Sequence, residues 1–412
     1  MLQHLLKTLW KRKGKNLMIS AEILLIFVVV FAVVVGIVYN LRLYHTPLGF
    51  EYQDRWSIHL DGKVDGFLNP DSGVKTSEQS RSQVRELIDQ FHRSLKAMPE
   101  VEAVSFVAYY PYSFSAFRIQ MRRADSNKKV DILSLNMDSE ASEALGIKML
   151  RGRWFSKHDE GSGIKLAVIN QSLADALFAN EDPIGKMITS ANSKSENPDL
   201  IKVIGVVDQY RYLGEFMGND NIVLFAQESD ALVPLTNMVI KVKPGTSRNF
   251  EIKLHQQLKQ VRSDIDYKIA TLAEGRDEML RQKAMFFIPP VVIAVFLLLM
   301  VSFGLFGVLW QNVNSRIPEI GLRRAIGAST TQIYGQIVAE QVLLCSLAMA
   351  VGMLFLIQLP FTGIFAKFMD WRSFFLSAGV SMAILYVVSI TCALYPAWVA
   401  SRMSPTDALH YE

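Results

Sequence analysis

The sequence predicts a membrane protein with four transmembrane α-helices and a large α+β extracytoplasmic domain between the first and second of them. Two observations carry that reading. Four stretches hold no acidic or basic side chain: Ile23–Leu41 (19 residues), Ala284–Ser315 (32), Gln341–Ala366 (26) and Ser373–Ser401 (29). A helix needs about 20 apolar residues to cross a bilayer core, and helices inside soluble proteins rarely stay uncharged that long. Between the first and second stretches lie about 245 residues whose 32 Lys/Arg and 33 Asp/Glu nearly cancel, as expected of a separate water-soluble domain.

The net charge of +4 is concentrated in short segments. Residues 1–16 carry Lys7, Lys11, Arg12, Lys13 and Lys15 with no acid, and Arg316, Arg323 and Arg324 stand against Glu319 between spans two and three. The loop between spans three and four has Lys367 and Arg372 against Asp370, and the tail has Arg402 with Asp407 and Glu412. The positive-inside rule therefore puts the N-terminus and residues 311–331 in the cytoplasm. An even number of spans returns the C-terminus to that side and leaves the insert and residues 360–373 outside. The near-neutral insert lacks the basic face that a nucleic-acid partner would need.

Residues 1–16 place Leu2, Leu5, Leu6, Leu9 and Trp10 at helical spacing, which predicts an amphipathic helix lying in the cytoplasmic interface of the bilayer. The first span, 17–39, reads as an uncleaved anchor. Its apolar core exceeds that of a signal peptide, and Tyr39-Asn40-Leu41-Arg42 offers no small-residue cleavage site. Glu22 lies about one turn inside this span, either reaching back to the surface or making a polar contact within the bundle.

The domain 40–283 mixes both structure types. Alternation predicts strands at Trp56–Leu60, Val101–Tyr109, Phe117–Arg123, Val130–Asn136, Leu166–Asn170, Ile201–Val207, Met238–Val242 and Asp266–Thr271. Helical spacing predicts helices over 78–97, from Ser139 to Gly146, over Gln171–Phe178, and through Phe250, Leu254, Leu258 and Val261. Residues 188–199 read as a polar, mobile loop. Cys345 and Cys392 both fall in spans, so this domain has no disulfide or thiol chemistry available to it. The histidines show no metal-ligand spacing, and no catalytic constellation is present.

After Leu272 a single long helix is expected from about Ala273 to Trp310, bent near Pro289 and Pro290. It would contain span two (284–310) and serve as a lever between the outer domain and the membrane. Spans three and four are expected at 332–359 and 374–398, with an outer loop at 360–373 and a tail at 399–412. Gly304, Gly307, Gly335 and Gly352 would permit close helix packing. Glu340 and Gln341 sit two turns into span three. They make either an interhelical or dimer contact that changes between states, or a static hydrogen bond to Ser or Thr.

The segment 311–331 is the candidate site. Pro318 suits a first helical turn. Glu319 complements the helix start and Arg323 and Arg324 its end. Gly327 can terminate it, and Ser329 with Gln332 forms a capping-box pattern for span three. A short helix results, with Leu322, Ala325 and Ile326 available as an apolar face. On physical grounds alone it is equally a tight loop with a solvated face.

The run Glu319, Ile320, Gly321, Leu322, Arg323, Arg324, Ala325, Ile326, Gly327 and Ala328 resembles the coupling segment of MacB/FtsX-type permeases of ABC transporters. Tyr395–Glu412 is similar to that family's closing signature. Within the insert, 145–153, 167–170, 182–186 and 204–207 come in the order of a MacB-like periplasmic core domain. The chain departs from the pattern at Pro318, where the family usually has a basic residue, and at His410, where it has arginine.

The resemblance implies an outer domain in two subdomains, roughly 41–110 with 235–283, and 111–234. It implies a bacterial inner-membrane permease, non-catalytic itself, paired with an identical or different permease. Glu319–Gly327 would dock on a cytoplasmic ABC ATPase subunit that holds ATP and Mg. A periplasmic adaptor and an outer-membrane channel are further implied partners of the export role, beside the lipid bilayer. ATP hydrolysis would move the periplasmic domain and drive export or extraction by mechanotransmission. The alternative is an ATP-driven signal transmitter that regulates a periplasmic enzyme such as a cell-wall hydrolase. The 412 residues contain no Gly-x-x-x-x-Gly-Lys-Ser/Thr loop, so the ATPase is expected on a separate polypeptide.

Overall fold

The computed structural model describes residues 13–61, 78–113, 117–159, 164–179, 181–191, 199–226, 237–362 and 369–402. The chain forms two compact units, Leu43–Lys283 and a second made of Met1–Arg42 with Ala284–Glu412. The expected amphipathic helix over residues 1–16 falls outside the described residues up to position 12, as does the tail beyond 402.

The Leu43–Lys283 unit carries strands β1 (Arg55–Asp61), β2 (Val101–Val107), β3 (Phe117–Arg123), β4 (Val130–Met137), β5 (Met149–Gly152), β6 (Lys165–Asn170), β7 (Met187–Ser190), β8 (Ile201–Val207), β9 (Ile222–Ala226), β10 (Asn237–Val242) and β11 (Asp266–Thr271). Their hydrogen-bonded order is β11-β1-β10-β2-β4-β3-β7-β8-β6-β9, with β5 added on β8. β9 also pairs in parallel with β4, so the run from β4 to β9 closes into a ring. The open half, β11-β1-β10-β2, meets that ring through the single pair Val107↔Met137.

Each half buries its own apolar face. Helices α2 (Glu78–Lys96) and α5 (Phe250–Val261) cover the open half. There Phe91, Leu95, Leu254 and Leu258 pack on Trp56, Ile58, Val104 and Ile240. In the ring, α4 (Gln171–Phe178) turns Leu173, Leu177 and Phe178 onto Ile169, Val203 and Val223. A third core of Phe50, Tyr112, Leu135, Val168, Leu224 and Val239 draws on strands of both.

Most expected elements appear with their ends shifted by a residue or two. The stretch read as a polar loop, 188–199, is in part strand β7, paired with β3 and β8. Its Ile188 and Thr189 are buried, which the neighbouring polar residues hide. Strands β5 and β9 were not expected. The short helix α3 (Ala141–Leu145) ends at Gly146 as expected, but Ser139 does not open it. Its N-cap is Glu140, with no side-chain cap bond, and just ahead of the helix Asp138 Oδ1 accepts from the Glu140 N–H at 3.0 Å.

The second unit holds α1 (Lys13–Tyr44), α6 (Leu272–Asn314), α7 (Ile317–Ala325), α8 (Thr330–Leu356), α9 (Gln358–Phe361) and α10 (Trp371–Arg402), with α1 ending and α6 beginning in the other unit. Four helices among the described residues are long and apolar enough to cross a membrane: Ile19–Tyr44, Leu272–Asn314, Thr330–Phe361 and Trp371–Arg402. Helix α6 continues through Pro289 and Pro290, and α10 through Pro396.

Two of the four glycines expected to admit close packing do so. A Cβ on Gly352 would fall 2.6 Å from the Phe27 ring, and one on Gly304 would fall 2.5 Å from Glu22 Oε1. A Cβ on Gly307 or Gly335 would meet nothing within 4 Å. Small side chains line the α8–α10 seam, where Ser377, Ser381, Cys345 and Ala348 are buried.

Candidate coupling site

Helix α7 is short because its ends are fixed locally. Pro318 occupies the first turn, where its missing N–H costs nothing. At the other end Gly327 takes φ 103°, a conformation that favours glycine, and the Gly327 and Ala328 amides close onto Arg324 O and Arg323 O, both at 3.0 Å. Ser329 then caps α8: its side chain accepts from the Gln332 amide while Gln332 Oε1 accepts from the Ser329 amide at 3.0 Å. The two breaks set α7 apart from α6 and α8 as a separate short helix.

Its inward face is both apolar and charged. Ile320 packs with Val313, Ile333, Ile337, Ala397 and Ala400. Around that cluster runs a ring of polar contacts. Arg316 donates to Glu340 at 2.5 Å, and Gln336 donates to the other Glu340 oxygen at 3.0 Å. Arg323 donates to Gln336 at 2.7 Å and to Glu319 at 2.8 Å, and Glu319 lies 3.8 Å from Arg316, which closes the circuit. Arg324 reaches the Ser401 carbonyl at 2.8 Å, tying α7 to α10. Helix α7 is thereby fastened to α8 through four side chains and to α10 through one.

The outward face is apolar. Leu322 is 56% exposed and Ile326 78%, with Ala325 exposed beside them. Ile320 and Gly321 are buried, Arg323 and Arg324 are half-buried, and Glu319 and Gly327 are exposed. The predicted segment thus divides into residues that fasten the helix and residues that leave it a bare apolar edge.

The intramembrane polar residues take different partners. Gln341 donates to Ser389 at 2.8 Å in a buried contact between α8 and α10. Glu340 makes an interhelical contact, accepting from Arg316 at the start of α7 as well as from Gln336 on its own helix, and its partners are not Ser or Thr. Glu22 lies against Gly304 within the bundle.

Sequence reasoning missed Arg316 and Gln336 as members of the site. The signal for Gln336 was present, since Gln336 and Glu340 share a helix face four residues apart. Nothing local marks Arg316, whose acid is 24 residues away. Also unexpected is an aromatic ladder on α6 and α10. Trp310 stacks on Phe306 at 6.3 Å and on Tyr395 at 5.8 Å, Tyr395 stacks on Trp398 at 6.3 Å, and the Arg402 guanidinium sits 4.7 Å from the Trp398 ring centre.

Comparison with known proteins follows the same division of the chain. Residues 24–256 match the MacB-like periplasmic core domain family, and residues 291–405 match the FtsX-like permease C-terminal family. A macrolide export ATP-binding/permease protein MacB of Campylobacter fetus subsp. fetus is 28% identical over 67% of this chain and 43% of that protein. The protein of the same description from Syntrophobacter fumaroxidans is 25% identical over 64% of this chain and 45% of its own length. The chain therefore spans less than half the length of these curated relatives. Among solved structures, the periplasmic region of MacB from Actinobacillus actinomycetemcomitans aligns at 15% identity and a TM-score of 0.37, covering 59% of this chain and 98% of that one. The extracellular domain of the transporter YknZ from Gram-positive bacteria aligns at 14% identity and a TM-score of 0.34, covering 52% and 99%.

Proposed function

We propose, because this chain belongs to the MacB/FtsX-type family of ABC transporter permeases, that it couples ATP hydrolysis on a separate cytoplasmic ATPase subunit to movement of its periplasmic domain. That movement would drive export or extraction of a substrate by mechanotransmission. The chain is a multi-pass inner-membrane permease with a large periplasmic α+β domain. In the proposed cycle both termini and α7 face the cytoplasm, and ATP with its Mg is held by the ATPase.

The observation that carries the reading is the division of labour on α7. Its charged side chains fasten it to α8 and α10, so a push on the helix is passed to two spans instead of being lost in a flexible loop. Leu322 and Ile326 are left for a partner. An exposed pair of large aliphatic side chains on a rigid helix is the kind of anchor that fills a pocket on another protein. Helix α6 supports pairing with a second permease: Phe286, Ile288, Phe296, Met300 and Phe303 all stand exposed along it and need lipid or a second chain beside them.

The test is co-purification from mild detergent with a tag on this chain. The expected result is an ABC ATPase in the wild-type sample, and its loss from Leu322→Asp with membrane insertion unchanged. An ATPase that stays bound to Leu322→Asp refutes the coupling assignment. A periplasmic adaptor in the same sample supports export, whereas a cell-wall hydrolase in its place supports the signalling role.

A further inference from the structure

In the Leu43–Lys283 unit, one loop holds both of the chain segments by which that unit continues into the spanning helices. The loop is 208–221, and its centre is Arg211, which is 2% exposed. Arg211 Nη1 donates to Leu43 O at 2.9 Å and to Thr46 O at 2.8 Å, so it satisfies a carbonyl in the last turn of α1. Its Nε donates to Met217 O at 2.9 Å, and its Nη2 to Met217 O at 2.6 Å and also to Glu215 O. Its backbone amide donates to Leu48 O at 2.8 Å. The loop therefore wraps one guanidinium and pins residues 43–48.

The same loop grips the root of α6. Glu215, 4% exposed, pairs with Arg276, which also reaches Tyr44 Oη at 3.4 Å and lies 4.9 Å from the Tyr52 ring centre. Phe216 meets the Tyr44 ring at 6.2 Å. Tyr112 is seated between the loop and the helix: a Cβ on Gly214 would fall 2.7 Å from its ring, and one on Gly275 3.4 Å from its Cβ. Gly275, which weakens the helix on propensity, is thus the position that lets α6 approach Tyr112. Burying a guanidinium and an ion pair at one place is expensive; Arg211 donates from all three of its nitrogens, while Glu215 is engaged through Oε1 and its Oε2 is buried without a hydrogen-bond partner.

We propose that residues 208–221 form a joint that binds the segments 43–50 and 272–279 into one mechanical piece, with Arg211, Glu215 and Arg276 as its positioning residues. A displacement carried by either segment then reaches the other, and the β-sheet with it. The inference rests on the coupling reading above and names the part of the outer domain that receives the motion.

The experiment is hydrogen exchange on the full chain in lipid nanodiscs, comparing wild type with the double variant Glu215→Gln/Arg276→Gln, which removes both charges, keeps the shape of residue 215 and shortens residue 276. Amides in 43–50 and in 272–279 are expected to exchange about tenfold faster together, as a charge-assisted contact is reduced to a neutral one, while β6 and β8 keep their protection. Acceleration confined to 272–279, or none, overturns the joint. Should the double variant also lose protection in the sheet, Arg276→Lys is read the same way: acceleration at both segments supports the joint, and anything less overturns it. Adding the co-purified ATPase with a non-hydrolysable ATP analogue separates the two ideas. If wild type shows no nucleotide-dependent change at either segment, the coupling reading fails, while the joint is judged on the ATPase-free exchange.

Discussion

The ion pair Arg316–Glu340 is the contact on which the rigidity of α7 should depend most. Both side chains are only 13% exposed, and their closest atoms are 2.5 Å apart. Two unit charges about 4 Å apart attract by roughly 4 kcal/mol at an effective dielectric constant near 20, before desolvation is subtracted. A hydrogen bond to a charged group contributes about 1.5–3 kcal/mol net. Glu319, the second acid near Arg316, is 3.8 Å away and 45% exposed, so it compensates little when Glu340 is removed. Glu340→Gln and Arg316→Gln should each therefore cost about 2–3 kcal/mol. The double variant should cost about the same as either single one, giving a coupling energy of roughly 2 kcal/mol.

The assay is a double-mutant cycle on reversible unfolding of the full chain in mixed micelles, followed by tryptophan fluorescence with Trp10, Trp56, Trp154 and Trp371 replaced by Phe in every variant. Glu319→Gln serves as the comparison and should change stability by less than about 1 kcal/mol, as expected for a half-exposed pair. A coupling energy below about 0.5 kcal/mol between Arg316 and Glu340 would refute the reasoning, since α7 would then be held by Ile320 and its apolar neighbours alone. A Glu319 effect as large as that of Glu340 would refute it too, because the ring would then carry its energy at the exposed side.

Three other outcomes are expected. Leu322→Ala and Ile326→Ala should each weaken ATPase binding by about tenfold, since fully burying such a side chain is worth about 1.5–3 kcal/mol and both are more than half exposed in the free chain; titration of the ATPase onto nanodisc-bound chain reads this directly. Gly49→Ala should destabilise the outer unit by about 2–4 kcal/mol, because its φ is +81° and the new Cβ would fall 1.6 Å from Gln209 O, a backbone atom that cannot turn aside; a melting temperature within 2 °C of wild type, judged against roughly 2–4 °C per kcal/mol for a unit of this size, contradicts it. Burial pushes the Asp138 carboxyl up to about 6 against the pull of the Phe106, Ser105 and Glu140 donors. The folded state then holds this proton more tightly than the unfolded state, so the contribution is complete below about pH 4 and about 3 kcal/mol is lost as pH rises through 6. A carbon-detected carboxyl titration with a midpoint below 4 would exclude that.

What the sequence disclosed and what it concealed follow from the range of the interactions involved. The four spans were legible because a charge-free run is a local property of some twenty residues. The ends of α7 and the start of α8 were legible for the same reason: Pro318, Gly327 and the Ser329–Gln332 box act within one turn. Strand β9 was not, since Ile222-Val223-Leu224-Phe225-Ala226 is apolar throughout and shows no alternation. Strand β7 was lost among polar neighbours, although tertiary pairing with β3 and β8 buries Ile188 completely. Arg211 and Arg316 were unreadable in principle, because their partners are backbone carbonyls and an acid brought close only by the fold.

Helix α7 also shows why the proposed coupling face is not marked by a simple amphipathic stripe. An ordinary surface helix turns its apolar side inward and its charges to water. Here Arg316 and Arg323 are spent on α8 and Arg324 on α10, Glu319 braces Arg323 from within α7, and Leu322 and Ile326 remain outside. Exposing two large aliphatic side chains is unfavourable for the isolated chain, and the polar ring is what holds the helix in that orientation against the alternative of rolling them inward. The arrangement makes sense when a partner covers the outer face. Docking then stabilises a surface already in place, and force applied there meets ion pairs instead of slack. It follows that replacing the ring by apolar residues could preserve stability while letting α7 roll, so ATPase activity would continue without moving the spans. A variant with Arg316→Met and Glu340→Leu that is as stable as wild type and still transmits nucleotide-dependent change to the outer domain would show that orientation is set by the caps at Pro318, Gly327 and Ser329 instead.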